Sequence, residues 1–99
     1  MGGVSERCPT HPGELLREDV IPAFKKSKTE VARLLGISGQ HLHDIIAERK
    51  PVSPEVAVRL GKLFGNGPTI WILIQAGYDA WCASQTVDVS DIPTIGGPI

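Results

Sequence analysis

The sequence predicts an all-α fold, a five-helix bundle followed by an extended C-terminal tail. Three observations carry this reading. Strand signals are nearly absent from the 99 residues. Helix start and stop signals recur at regular intervals, with Ser or Pro at the starts and Gly at the ends. Between them, apolar residues return every three or four positions. The chain has room for one domain. We divide it into an N-terminal arm (1–10), a helical domain (11–84) and a tail (85–99). Apolar content of 41% with 21% charged residues suits a folded globular chain.

Each element follows from its own signals. Pro12 suits the first helical position, where its missing N–H costs nothing. Leu15, Leu16 and Val20 then form an apolar stripe that Pro22 is expected to stop or kink. Ser27 and Glu30 have the spacing of a capping box, in which the hydroxyl accepts from the backbone and the glutamate reaches back. Val31, Leu34 and Leu35 supply that helix's buried side, and Gly36 ends it. Ser38 caps the next helix, with Leu42, Ile45 and Ile46 inward. Ser53-Pro54-Glu55 reads as cap, first-turn proline and first-turn acid. Val56, Leu60, Leu63 and Phe64 face inward before Gly65 closes the helix. Pro68 opens a fifth helix expected to reach about Ser84. The Pro- and Gly-rich tail has little to bury, although Val87, Val89 and Ile92 offer an edge contact.

The segment from Lys28 to Ile46 carries the functional signal. Two short helices are joined by Gly36-Ile37-Ser38, and small Ala32 lies four positions before Gly36. Only a small side chain at Ala32 lets the second helix cross closely over the first, and Gly36 permits the sharp turn. Ile37, Leu42 and Ile45 fill the wedge between them. Together these residues describe a helix-turn-helix of the lambda-repressor-like type, whose second helix enters the DNA major groove. With Leu42, Ile45 and Ile46 inward, the outward stripe is Gln40, His43, Asp44 and Ala47. Gln40 is the first candidate to read a base, because its amide can pair bidentately with adenine. His43 is a candidate for bases or phosphates or a plain surface histidine, and Asp44 for accepting from cytosine or excluding wrong bases. Ser38, at the positive helix end, is a candidate phosphate contact as well as a cap. Lys28, Arg49 and Lys50 flank the pair and are expected to bind phosphates, which positions the protein without reading sequence.

Charge distribution agrees. The formal net charge is -1, but residues 25–50 hold six basic groups against three acids, while residues 1–24 and 51–99 each come to -2. No nucleophile motif or Gly-rich phosphate loop points to an enzyme, and no cofactor is expected. His41 and His43 fall two apart on a helix and point to different faces, and Cys8-x-x-His11 lacks two further ligands, so no metal site is expected. The apolar stretch Thr69 to Ala76 is too short to span a bilayer, and no N-terminal apolar run marks a signal peptide. With two cysteines lacking a pairing pattern, a cytoplasmic location is expected.

The last helix is apolar on two sides. Trp71, Ile74, Tyr78 and Trp81 form one stripe, and Ile70, Leu73 and Gly77 another. A monomer's surface helix needs one. A two-fold homodimer is therefore expected, with Trp71, Ile74, Tyr78 and Trp81 at its interface and a palindromic double-stranded DNA operator as its target.

The chain resembles the HigA-like antitoxins, or virulence-associated protein I family, within the XRE-type helix-turn-helix superfamily. The matching pieces are HPGELLRE from His11, KTEVARLLGIS from Lys28, SPEVAVRLGKLFG from Ser53, PTIWILIQAGYD from Pro68 and TVDVS from Thr86. Most specific are HPGE and the later set Trp71, Gln75, Tyr78 and Asp79. The resemblance implies a dimeric antitoxin that represses its own operon and neutralises a small basic toxin, an mRNA interferase of the RelE type. A stand-alone repressor, or an interaction module that no longer binds DNA, are the alternatives. The chain departs from the family at Ala47-Glu48, where Asn-Gly is usual, at Gly39, where Arg or another polar residue is frequent, and at Pro93, which interrupts a basic last helix.

Overall fold

The computed structural model describes residues 7–96. The first helical rod, α1, is built of three continuous pieces: Pro12–Leu15, a π-helical turn Leu16–Val20, and Ile21–Phe24. Pro22 does not end it. Proline has no N–H for the carbonyl four residues back, and its ring crowds that carbonyl. The wider π turn just before it, in which the Ile21 N–H donates to Leu16 O, lets the rod pass through. Lys25 in the left-handed region then ends α1 (φ 56°).

The remaining helices are α2 (Lys28–Leu35), α3 (Gly39–Ile46), α4 (Pro54–Phe64) and α5 (Pro68–Thr86). Ser27, Ser38 and Ser53 each accept from the backbone N–H three residues on, at 3.1, 3.0 and 3.2 Å. The capping box is only half made, because the Glu30 carboxylate pairs with Arg33 and does not reach back to Ser27. Gly36 and Gly65 close α2 and α4 at φ 74° and 80°. α5 continues two residues past the expected Ser84, and the tail beyond it is irregular.

All five helices contribute to one core. Leu16, Val31, Leu42, Ile45, Leu60 and Trp71 are almost wholly buried in it. Four residues expected to bury apolar surface behave otherwise. Leu34 stays 41% exposed, and Val87, Val89 and Ile92 are more than half exposed and make no edge. Two glycines set the closest approaches. A Cβ on Gly13 would run into the Ile45 carbonyl, so α1 lies directly on the α3 backbone. A Cβ on Gly61 would run into Gly67 and Pro68, which brings the α4–α5 turn back against α4.

The radius of gyration is 16.3 Å, with extents of 50 × 24 × 21 Å. A compact domain of this length measures about 13 Å. Only Trp71 and Gln75 of α5 are buried, and the end of that helix and the tail project from the body.

Candidate nucleic-acid interface

The HTH pair is α2 and α3. Ala32, 3% exposed, sits at their crossing, and the Ile37 N–H donates to the Ala32 carbonyl across the turn (3.1 Å). Each helix also has a C-terminal carbonyl occupied by an arginine from elsewhere. Arg59 of α4 donates to Leu35 O (2.8 Å), and Arg17 of α1 donates to Ile46 O (2.7 Å). Cations at these ends meet both unpaired carbonyls and the negative pole of the dipole. Neither arginine was foreseen from sequence, since nothing local links them to the helices they cap.

With Leu42, Ile45 and Ile46 buried, α3 presents Gly39, Gln40 and His43 outward. A shallow depression of about 260 Å³ lies between the outer face of α3 and the start of α2, lined by Lys28, Thr29, Gly39 and His43. Lys28 and His43, fifteen positions apart in sequence, thus flank one opening. Thr29 joins them there, a residue the sequence reading passed over; its place in the first turn beside Lys28 was the available signal. Nothing lies within 4 Å of a Cβ on Gly39, so this departure leaves open surface on the outer face.

Asp44 is less free than expected. Its Oδ1 accepts from Gln40 Nε2 (2.9 Å) and Arg49 Nη2 (3.3 Å), and Oδ2 lies 3.7 Å from Lys50 Nζ. Its backbone carbonyl accepts from the N–H groups of Arg49 and Lys50. Desolvation alone would raise its carboxyl, but the bonds from Gln40 and Arg49 and the charges of Arg49 and Lys50 outweigh it and hold it below the usual value. Asp44 therefore organises both the base-reading candidate and the two cations after the helix. Ser38 is exposed, with its hydroxyl engaged as the α3 cap.

Glu48, just after α3, would bring a negative charge toward DNA phosphates; it adopts φ 64° and sets its carboxylate 3.3 Å from Arg17 Nη2. The left-handed backbone explains why glycine suits this position. Arg17 offsets part of the unfavourable charge.

His11 borders one depression together with Glu48, Arg49 and Lys50; it is 3% exposed and its Nδ1 accepts from the Gly13 N–H (2.8 Å). Its ring meets Tyr78 edge-on at 4.8 Å. Burial holds its pKa below 6.5, against the opposing pull of Glu48 and Asp79. Gln75 is 6% exposed; it accepts from the Val52 N–H (2.7 Å) and donates to Asp79 (2.9 Å). Trp71 is wholly buried, its indole N–H on Asn66 (3.0 Å). It is a core residue of the chain itself and has no surface left for the expected interface with a second copy. Ile74, Tyr78 and Trp81 are half-buried, whereas Ile70, Ile72 and Leu73 are exposed by 43, 41 and 62%. The open apolar face of α5 is thus the second of its two stripes. No helix among the described residues is long and apolar enough to cross a membrane.

No family model matches the chain. Virulence-associated protein I of Dichelobacter nodosus is 31% identical over 83 residues, covering 84% of this chain and 77% of that one. An addiction module antidote protein of a HigA family from Coxiella burnetii has a similar structure, with a TM-score of 0.81 at 29% identity, covering 89% of this chain and 98% of that one. The Pseudomonas aeruginosa antitoxin HigA, solved with the higBA promoter, gives 0.78 at 30% identity over 88% and 97%. HPGE and the Trp71, Gln75, Tyr78 and Asp79 set, far apart in the chain, come together through the His11–Tyr78 contact. The chain belongs to the HigA-like, virulence-associated-protein family of XRE-type helix-turn-helix DNA-binding proteins.

Proposed function

We propose that this chain is a homodimeric antitoxin that represses its own operon by inserting α3 into the major groove of a palindromic operator. It also silences a small basic toxin of the RelE mRNA-interferase type. One observation carries the DNA reading. The polar stripe of α3 is exposed, with Lys28 at one flank and Arg49 and Lys50 at the other. In this role Gln40 reads a base, His43 and Thr29 line the approach, and Lys28, Arg49, Lys50 and the Ser38 end of α3 bind phosphates. Asp44 holds Gln40, Arg49 and Lys50 in register.

A toxin that shares a repressing complex must leave α3 free. α1 offers such a surface, because Glu14, Glu18 and Asp19 are exposed on it, and an acidic face speeds association with a basic partner. A mobility-shift titration on the DNA upstream of the gene tests the first part: specific retardation supports it, and equal binding to a scrambled duplex overturns it. Co-expression with the neighbouring small reading frame tests the second. Co-purification with rescued growth supports the antitoxin role; the absence of both would leave a stand-alone repressor as the better reading.

A further inference from the structure

Two joined depressions run along the side of the domain where α2 meets α4. One, of about 440 Å³, is lined by Leu34, Val58 and Leu63 among others, with Arg59 and Lys62 at its edge. The second, of about 110 Å³, continues from Leu34 and Leu63 to Phe24, with Lys26 beside it. Phe24, Leu34 and Val58 are exposed by 51, 41 and 57%, which leaves a continuous apolar strip on a charged protein open to water. The rim is cationic. Arg59 is engaged by Glu55 and the Leu35 carbonyl, but Lys26 and Lys62 have no ion pair among the described residues.

The chain itself carries a segment of opposite character. In the tail, Val87, Val89, Ile92 and Ile95 are exposed by 59, 58, 67 and 94%, and Asp88 and Asp91 are interleaved with them. A turn closed by the Ile92 N–H on Val89 O (3.0 Å), with the Ser90 N–H on Asp88 (2.9 Å), gives the segment some local shape. The protomer buries none of its four large apolar residues.

We propose that this groove receives the tail of a second copy, so that two protomers exchange Val87–Ile95 reciprocally. Apolar surface on both sides is removed from water, and Asp88 and Asp91 meet Lys26 and Lys62. The geometry of α5 supplies the direction. A two-fold axis across its exposed face sets two copies of this helix antiparallel. The end of one, at Thr86, then lies beside the start of the other, at Pro68. The groove wall is close to that start, since Leu63 and Phe64 precede it and the Phe64 ring lies 6.5 Å from Trp71. An extended tail spans roughly 30 Å, enough to run the length of α4.

The test uses full-length chains in a Cys8→Ser, Cys82→Ala background, in two differently tagged versions. One carries Val58→Cys and the other Ile92→Cys, both at exposed positions. After mixing and mild oxidation, a disulfide-linked product bearing both tags is expected. Lys62→Glu on the groove copy should cut its yield about tenfold, and Asp91→Lys on the tail copy should restore it. No mixed product overturns the proposal. So does a disulfide that forms only within one chain when both cysteines are placed together. The proposal rests on self-association. A monomeric mass by sedimentation would remove both readings, whereas a dimer whose dissociation constant is unchanged by Ile92→Asp would remove tail exchange alone.

Discussion

Gly13 is the residue on which the seating of α3 depends most directly, because any Cβ there meets the Ile45 carbonyl. Neither partner is a flexible side-chain end, so Gly13→Ala must push α1 away from α3. We expect a loss of about 2 kcal/mol, read as a shift in the urea midpoint with the slope unchanged. His11 adds a pH dependence. Its pKa is lower in the fold than the ordinary 6.5, because burial disfavours the charged form. The unfolded chain therefore binds more protons between the two values, and stability rises with pH across that window. Stability should be full above about 6.5 and decline as pH falls through the lowered value. His11→Gln should flatten that decline in urea titrations at successive pH values; an unaltered profile would reassign it to another group. Glu48 stands in a left-handed conformation that costs a non-glycine residue about 1 kcal/mol. Its partly exposed pair with Arg17 repays less than that. Glu48→Gly should accordingly raise the melting temperature slightly and tighten DNA binding at low salt, and a fall in both would show that the pair outweighs the strain.

At the scale of the elements, the helices were legible in the sequence because their signals are local. Serine caps at 27, 38 and 53, glycines at 36 and 65, and 3.6-residue periodicity each act within one or two turns, and the structure realises the caps and closing glycines in full and the periodicity except at Leu34. What was not legible depends on partners distant in sequence. Arg17 and Arg59 carry no local signal that singles them out, yet they cap α3 and α2 from other helices. Pro22 read as a stop or a kink, and only the π turn before it shows how the rod continues. Asp44 read as an outward acid, while its hydrogen bonds make it the organiser of Gln40, Arg49 and Lys50. These placements separate two classes of variant. Lys50→Ala should weaken binding to all duplexes alike and lower the slope of log affinity against log salt by about 1. Asp44→Ala should disturb specificity and phosphate contact together, since it releases both groups. An Asp44→Ala variant with the specificity of the wild type would show that Gln40 needs no such support.

The molecule as a whole is longer than a compact domain because α5 and the tail carry apolar surface outward instead of folding it in. The sequence showed two apolar stripes on α5 but not which one the domain would use for its own core. Trp71 went to the core because the Gly61–Gly67 approach folds the start of α5 against α4. Ile70 and Leu73 were left exposed. We therefore expect self-association to depend on Leu73 more than on Tyr78 or Trp81. Leu73→Glu should give a monomeric mass in light scattering at tens of micromolar, with helical content retained. A dimer that persists would move the interface elsewhere.

The proposed dimer matters to the DNA reading because two copies of α3 must lie about 34 Å apart to read a palindrome. Anisotropy titration of the full-length protein against a palindromic candidate from the DNA upstream of its gene and a scrambled duplex, at one salt concentration and with Gln40→Ala alongside, tests that arrangement most directly. We expect the wild-type protein to prefer the palindrome by roughly 10³-fold or more. Gln40→Ala should lose discrimination at one base pair of each half-site while still binding duplex DNA. Equal wild-type affinity for the two duplexes would contradict a DNA-reading role for α3.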